Sequence, residues 1–300
     1  MNRILIMLLC VYVVNINTSC KNNSTKFDAS GTFEAEETIV SAESSGVLKE
    51  FKIEEGDRLK AGEYIGYIDS IQLYLKKMQL EAQINSLYSR KPNIPVQIAA
   101  LQEQLKAAQT EQKRFNNLVK EKAATTKQLD DINTQVDVIN KQIDALRSTL
   151  QISGKGIDND ATSLKLQVDQ LSDQLSRCKI INPIDGTVLT KFSMASEIVT
   201  PGKALYKIAN LSTIILRVYI TGNQLSQVKL GQKVNINTDN GKGGFEKTDG
   251  IISWINDKAE FTPKTIQTKS ERANLVYAVK IKVVNNGQYK IGMYGEIFFE

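Results

Sequence analysis

The spacing of apolar residues changes twice along this chain. From Gly46 to Gly62 a short apolar strand follows a polar run ending in glycine, a turn falls at Gly56-Asp57, and Ala61-Gly62 opens a second strand. The same layout returns from Gly186 to Gly202, with the turn at Ser196-Glu197 and Pro201-Gly202 in place of Ala61-Gly62; Ile65 and Ile68 fall opposite Leu205 and Ile208. Neither copy is long enough to bury its own apolar face, so the repeat predicts one small β-sandwich completed by both halves. Two unrelated hairpins of similar appearance are the alternative.

Between the halves the period switches from two to alternating steps of four and three. Ile94, Ile98, Leu101, Leu105, Ala108, Phe115 and Val119 follow this rhythm, as do Leu129, Ile132, Val136, Ile139, Ile143, Leu146 and Leu150. A third series, Ile157, Ala161, Leu164, Val168, Leu171, Leu175 and Cys178, is partnered by Leu80, Ile84 and Leu87. This is the signature of helices pairing along a seam, and it predicts four helical pieces over 71–178.

Breaks are expected near 89–95, where Pro92 and Pro95 stand, and near 153–160, after Gly154 and Gly156; they are nearly equidistant from Ala124. Thr125 and Gln128 form a capping-box pair, which places a turn near 123–126 although it contains neither Gly nor Pro. If the two β halves share one domain, the chain must go out and come back. About 54 residues per arm at roughly 1.5 Å each give a hairpin near ~80 Å long. A plain spacer or a dimerisation arm is the alternative to a docking arm.

After the second half, strands are expected at Thr213–Ile220, Gly231–Ile236, Gly250–Ile255 and Leu275–Ile281, with a short helix over Asn223–Lys229. The fold class read from the pattern is mainly β with a long α-helical coiled-coil hairpin, the hairpin interrupting a sandwich that precedes further strands. The domain bounds are 1–19, 20–31, 32–70 with 179–211, 71–178, and 212–300.

The first 19 residues read as a signal peptide. Arg3 precedes an apolar run from Ile4 to Val14, too short for a membrane span of about 20 residues. Thr18-Ser19-Cys20 resembles the lipobox of bacterial lipoproteins, with Asn17 departing from the usual aliphatic residue. That resemblance implies lipid attachment at Cys20 and a polar tether over 20–31; secretion with cleavage nearby and an uncleaved anchor are the other readings.

Composition narrows the chemistry. The chain has no histidine among its 300 residues, which removes the commonest general base and metal ligand; no catalytic residue, cofactor or metal site is expected. Its 38 basic and 33 acidic residues are spread without a basic block, which gives nucleic-acid binding little support. Of Cys10, Cys20 and Cys178, only Cys178 lies in the body of the chain, as a small buried residue where helix meets strand.

A sandwich written as two halves resembles the biotinyl/lipoyl domain, and a hairpin inserted between the halves resembles the HlyD-type membrane fusion proteins, the periplasmic adaptors of efflux and secretion systems. Carrier domains present a modified lysine at the turn joining their halves. Here Tyr67-Ile-Asp-Ser70 runs straight into a helix, and Lys76 and Lys77 sit on helical positions. A carrier subunit is therefore the lesser reading, and a coiled-coil envelope scaffold lipoprotein is the main alternative to the adaptor.

The strands from Thr213 on resemble the C-terminal β-barrel that follows the lipoyl-like barrel-sandwich hybrid in HlyD-type adaptors, and the stretch from Ala259-Glu-Phe-Thr-Pro-Lys264 through Leu275-Val-Tyr277 most resembles adaptors that accompany ABC-type exporters. The resemblance implies an inner-membrane transporter of ABC type, with RND type as the alternative, and no separate membrane-proximal domain. It also implies a TolC-type outer-membrane channel, self-association as a hexamer, and a periplasmic location anchored by lipid to the inner membrane of a Gram-negative cell. Adaptors that meet such channels carry an Arg, a Leu four residues on and a small hydroxyl past the turn. Arg114, Leu118 and Thr125 or Thr126 match that pattern, with threonine for serine and one extra residue in the turn.

Overall fold

The computed structural model describes residues 27–241, 244–261 and 275–299. These form two compact units. One takes in residues 27–38, 184–187 and those from 208 on; the other is Ile39–Pro183 with Val188–Lys207.

The second unit holds the repeat. Strands β3 (Gly46–Phe51), β4 (Arg58–Leu59) and β5 (Tyr64–Ile68) correspond in register to β7 (Gly186–Lys191), β8 (Ile198–Val199) and β9 (Ala204–Ala209), the last running one residue longer than its mate. With β2 (Glu37–Ser41) and β6 (Lys179–Ile181) they make two four-stranded sheets, in the orders β6-β5-β3-β8 and β2-β9-β7-β4. Each sheet takes its two inner strands from one half and its two outer strands from the other, so the halves are interleaved.

The backbone hydrogen bonds obey the same two-fold relation. Gly56 N–H donates to the Val188 carbonyl at 2.9 Å, and Ser196 N–H donates to the Leu48 carbonyl at 2.7 Å. Ser196 adopts a φ of 74°, the left-handed turn conformation that glycine supplies more easily at its mate Gly56, where φ is 96°.

Leu48, Phe51, Ile65 and Ile68 from one sheet and Val188, Leu205 and Tyr206 from the other are buried. The Phe51 and Tyr206 rings meet at 6.1 Å between centroids. The symmetry breaks at one buried polar cluster. The Tyr206 hydroxyl donates to Asn182 Oδ1 at 2.9 Å, and Asn182 Nδ2 donates to the Lys60 carbonyl at 2.8 Å. Burial pushes the Tyr206 hydroxyl well above the usual phenol range, which keeps it a neutral donor to that amide. The two-fold mates of Tyr206 and Asn182 are Gly66 and Ala42, which carry no polar side chain.

Three helices form the hairpin: α1 (Ile71–Ser89), α2 (Ile94–Lys120) and α3 (Thr126–Arg177). α1 and α2 both pack on α3. The α2–α3 core is Ala108, Val136, Ile139 and Ile143, with Leu101 and Leu105 against it, all at seam positions of the sequence pattern.

The outgoing arm breaks at Arg90–Asn93. Asn93 then caps α2 by accepting from Val96 N–H at 3.4 Å, and Pro95 sits in the first turn, where a missing N–H costs nothing. The expected break near 153–160 is absent. α3 runs 52 residues straight through Gly154 and Gly156. Glycine weakens a helix by about 1 kcal/mol yet keeps its backbone donor, whereas proline removes one; packing on two neighbours carries α3 through. Three helices therefore stand where four pieces were expected, and the joint is one-sided. Lys91, in the break, pairs with Asp158 of α3 at 2.8 Å.

The first unit is a barrel sheet of β1 (Ala29–Glu34), β10 (Thr213–Thr221), β11 (Lys233–Asp239), β12 (Phe245–Ile255), β13 (Glu260–Phe261), β14 (Leu275–Val284) and β15 (Tyr294–Phe298). Their order is β10-β1-β15-β11-β12-β14-β13, and a further β10–β14 pairing closes the ring.

β1 corrects the expected bounds: residues 29–34, divided between tether and sandwich at position 32, pair with β10 and β15 in this sheet. The cause is packing. Phe33 is buried in the barrel core with Leu216, Val218, Ile236 and Ile281, and its ring stacks on Tyr289 at 4.8 Å. Where a helix over Asn223–Lys229 was expected, a single 3-10 turn covers Leu225–Gln227. Thr262–Lys264, part of the motif most like ABC-associated adaptors, lie outside the described residues.

The hairpin tip as candidate docking site

The turn between α2 and α3 is held at both ends by backbone hydrogen bonds that its sequence hardly announces. Lys122 N–H donates to the Val119 carbonyl at 3.0 Å and Ala123 N–H to the Leu118 carbonyl at 2.8 Å. These are the two bonds of a Schellman ending, and Lys122 holds the left-handed position with a φ of 55°. Lysine stands where glycine normally would, so neither Gly nor Pro marks the turn.

The next helix starts on a capping box. Thr125 Oγ1 accepts from Gln128 N–H at 3.3 Å, and Thr125 N–H donates to Gln128 Oε1 at 2.9 Å. About two turns from the end, Gln112 Nε2 donates to Asn133 Oδ1 at 2.8 Å and ties the arms together.

On this frame Arg114 and Leu118, four residues apart, share one face of α2. Arg114 is exposed and pairs with Glu111 of the same helix at 3.4 Å, while Leu118 is half-buried and stands outside the α2–α3 core. Thr125 and Thr126 are both exposed. Thr125 is committed to the cap, so Thr126, at the first helical position, is the hydroxyl better placed to meet a partner. The sequence reading missed the left-handed position of Lys122, because nothing in a lysine signals such a turn. Cys20 lies outside the described residues.

The root of the hairpin is equally specific. Ser70 starts α1 without a side-chain cap, and Asp69 supplies one by accepting from Ile71 N–H at 3.1 Å. That N–H, with Lys49 beside it at 3.3 Å, holds the Asp69 carboxyl below the usual carboxylate range. On the return side Cys178 is buried, and its thiol reaches Ser44 Oγ at 3.3 Å. Ile68 N–H donates to the Cys178 carbonyl at 2.8 Å, so the arm leaves and re-enters the sandwich at adjacent residues.

A cleft of about 560 Å³ opens here, lined among others by Glu43, Ser45, Asp69, Gln174 and Arg177, and none of its lining residues is a lysine. Lys76 is exposed on α1, and Lys77 pairs with Glu81 at 3.9 Å. Among the described residues no group of three or more His, Cys, Asp or Glu could hold a metal ion, and no helix is long and apolar enough to cross a membrane.

An interrupted sandwich with a hairpin set into it, and a separate barrel sheet, make up a set of elements shared with solved membrane fusion proteins, and the chain resembles those of the HlyD type. MacA from Actinobacillus actinomycetemcomitans has the same fold, with a TM-score of 0.55 and 22% identity over 90% of this chain and 76% of that one. A MacA-MexA chimera containing the Pseudomonas aeruginosa MexA α-hairpin domain gives 0.50, with 21% identity over 90% and 78%. In sequence the chain is 25% identical, over 88% of its own length and 83% of the relative's, to a UPF0194 membrane protein in the asrC 5′ region of Acidithiobacillus ferridurans. No family model matches the chain.

Proposed function

We propose that this chain is a non-catalytic periplasmic adaptor of an efflux or secretion system. It links an inner-membrane exporter, of ABC type, to a TolC-type outer-membrane channel. Cys20 carries the lipid that anchors it to the inner membrane, the lipoyl-like sandwich packs beside neighbouring copies, six copies form a ring, and the coiled-coil hairpins reach the channel. The observation that carries this reading is the hairpin itself. It springs from adjacent residues of the sandwich, at a cleft lined by no lysine, and extends far beyond what packing a small sandwich requires, to a firmly built tip bearing Arg114, Leu118 and Thr126.

A photo-cross-linking residue at position 126 tests it. In intact cells it is expected to trap an outer-membrane channel protein; cross-links formed solely to envelope scaffold or peptidoglycan-bound proteins would establish the scaffold reading instead. The anchor has a separate test. Cys20→Ser is expected to abolish incorporation of radioactive palmitate, and unchanged labelling would move the lipid elsewhere.

A further inference from the structure

The end of the hairpin is far more basic than its length. Lys113, Arg114, Lys120, Lys122 and Lys127 face a single acidic residue, Glu121, over 113–127, whereas the rest of α3 carries more acidic than basic residues. All five cations are exposed. A solvated lysine-rich end would be unremarkable if each cation sat where the backbone favours it, as Lys120 does in the last turn of α2.

Two of them do not. Lys122 occupies a left-handed position, φ 55°, that suits glycine and costs any side-chain-bearing residue stability. Lys127 stands at the second position of α3, beside the positive end of the helix dipole, in a first turn that contains no acidic residue. Local preference and residue choice conflict twice within six positions, and both conflicts keep a positive charge at the tip. Such conflicts mark places where a sequence serves something other than its own fold.

We infer that the tip lysines Lys120, Lys122 and Lys127 steer the hairpin onto a partner surface lined with carboxylates, at the mouth of the channel protein. This deepens the proposed adaptor function and rests on it. A protein surface is favoured over an anionic bilayer because 120–127, Lys-Glu-Lys-Ala-Ala-Thr-Thr-Lys, contains no large apolar side chain to enter a membrane. Charge sets encounter and orientation, while Leu118 supplies the apolar contact.

The experiment pairs stability with affinity. Full-length adaptor, wild type and the variants Lys122→Gly and Lys127→Glu, is measured against the purified outer-membrane channel from the same cell at about 50 and about 500 mM NaCl. Each substitution is expected to raise the melting temperature, by removing its local conflict, and to weaken channel binding on the order of tenfold at low salt. The wild-type affinity is expected to fall with salt more steeply than that of either variant. Raised stability with unchanged affinity and salt slope would overturn the inference while leaving the adaptor role intact, and so would a lowered melting temperature. Phosphatidylglycerol/phosphatidylcholine vesicles that bind wild type but not the variants, with channel binding indifferent to the substitutions, would give the lysines to a lipid surface. A wild-type chain that does not bind the channel at all would remove the adaptor reading and the inference together.

Discussion

Leu118→Lys is expected to abolish export in cells while the protein folds, reaches the envelope and remains anchored. The side chain is half-buried at the tip but takes no part in the cluster of Ala108, Val136, Ile139 and Ile143, so its loss leaves the α2–α3 core intact. What it contributes to the turn is its carbonyl, which accepts from Ala123 N–H and which lysine supplies equally. A cation in the last turn of α2 also suits the helix dipole. The substitution therefore removes an apolar contact without weakening the helix and without reducing the positive charge of the tip. A buried leucine at the centre of an interface is worth about 2 kcal/mol or more, over tenfold in affinity, and burying an ammonium there adds to the loss. Export measured by accumulation of a transported dye or toxin, with circular dichroism as the folding control, checks it; wild-type export would remove Leu118 from the docking surface.

Gly66→Ala is expected to cost about 4 kcal/mol, the range of severe backbone and overpacking lesions. A Cβ at Gly66 would sit 2.0 Å from the Glu50 carbonyl oxygen and 2.7 Å from its carbon, both backbone atoms of the adjoining β3. No rotamer change relieves a clash between backbones, so β3 and β5 must part. Those strands already shift register at Leu48/Glu50, and β5 and β6 do so at Tyr64/Gly66. The two-fold mate, Tyr206, carries a large side chain into the core, so only one of the two equivalent positions needs the missing side chain. Urea unfolding should show a markedly lower midpoint, and a midpoint within error of wild type would sink this account of the β3–β5 approach.

The sandwich was legible because its two halves repeat the same turn positions, and each turn residue has a backbone reason to be there. The seam of the hairpin was legible because its period is long and regular. Other features were hidden for physical reasons. Gly154 and Gly156 mimic a break, but a helix packed on two partners tolerates them where it does not tolerate the Pro92–Pro95 segment. β1 straddles the boundary expected at position 32 between tether and sandwich, and the pairing of Gly31 with Val218 and Gly295 reveals the barrel as its home. At the tip, Arg114, Leu118, Thr125 and Thr126 could be named from a motif. The division of labour between a capping Thr125 and an outward Thr126 needed coordinates, as did the left-handed Lys122.

The interleaved sheets carry a consequence for how the chain reaches this state. β3 finds β8, and β4 lies beside β7, only after the entire arm has been synthesised, so neither half can finish a sheet as it emerges. Joining Ile68 to Cys178 across an open coil would require closing a long loop against chain entropy. Helices zip quickly and from local contacts, and once α1 and α2 lie along α3 the two ends are neighbours, leaving only a short gap to close. The hairpin then acts as the closing device of the sandwich: an arm that fails to pair leaves two unfinished half-sheets with open edges, and damage far out along the helices would surface as misfolding at their root.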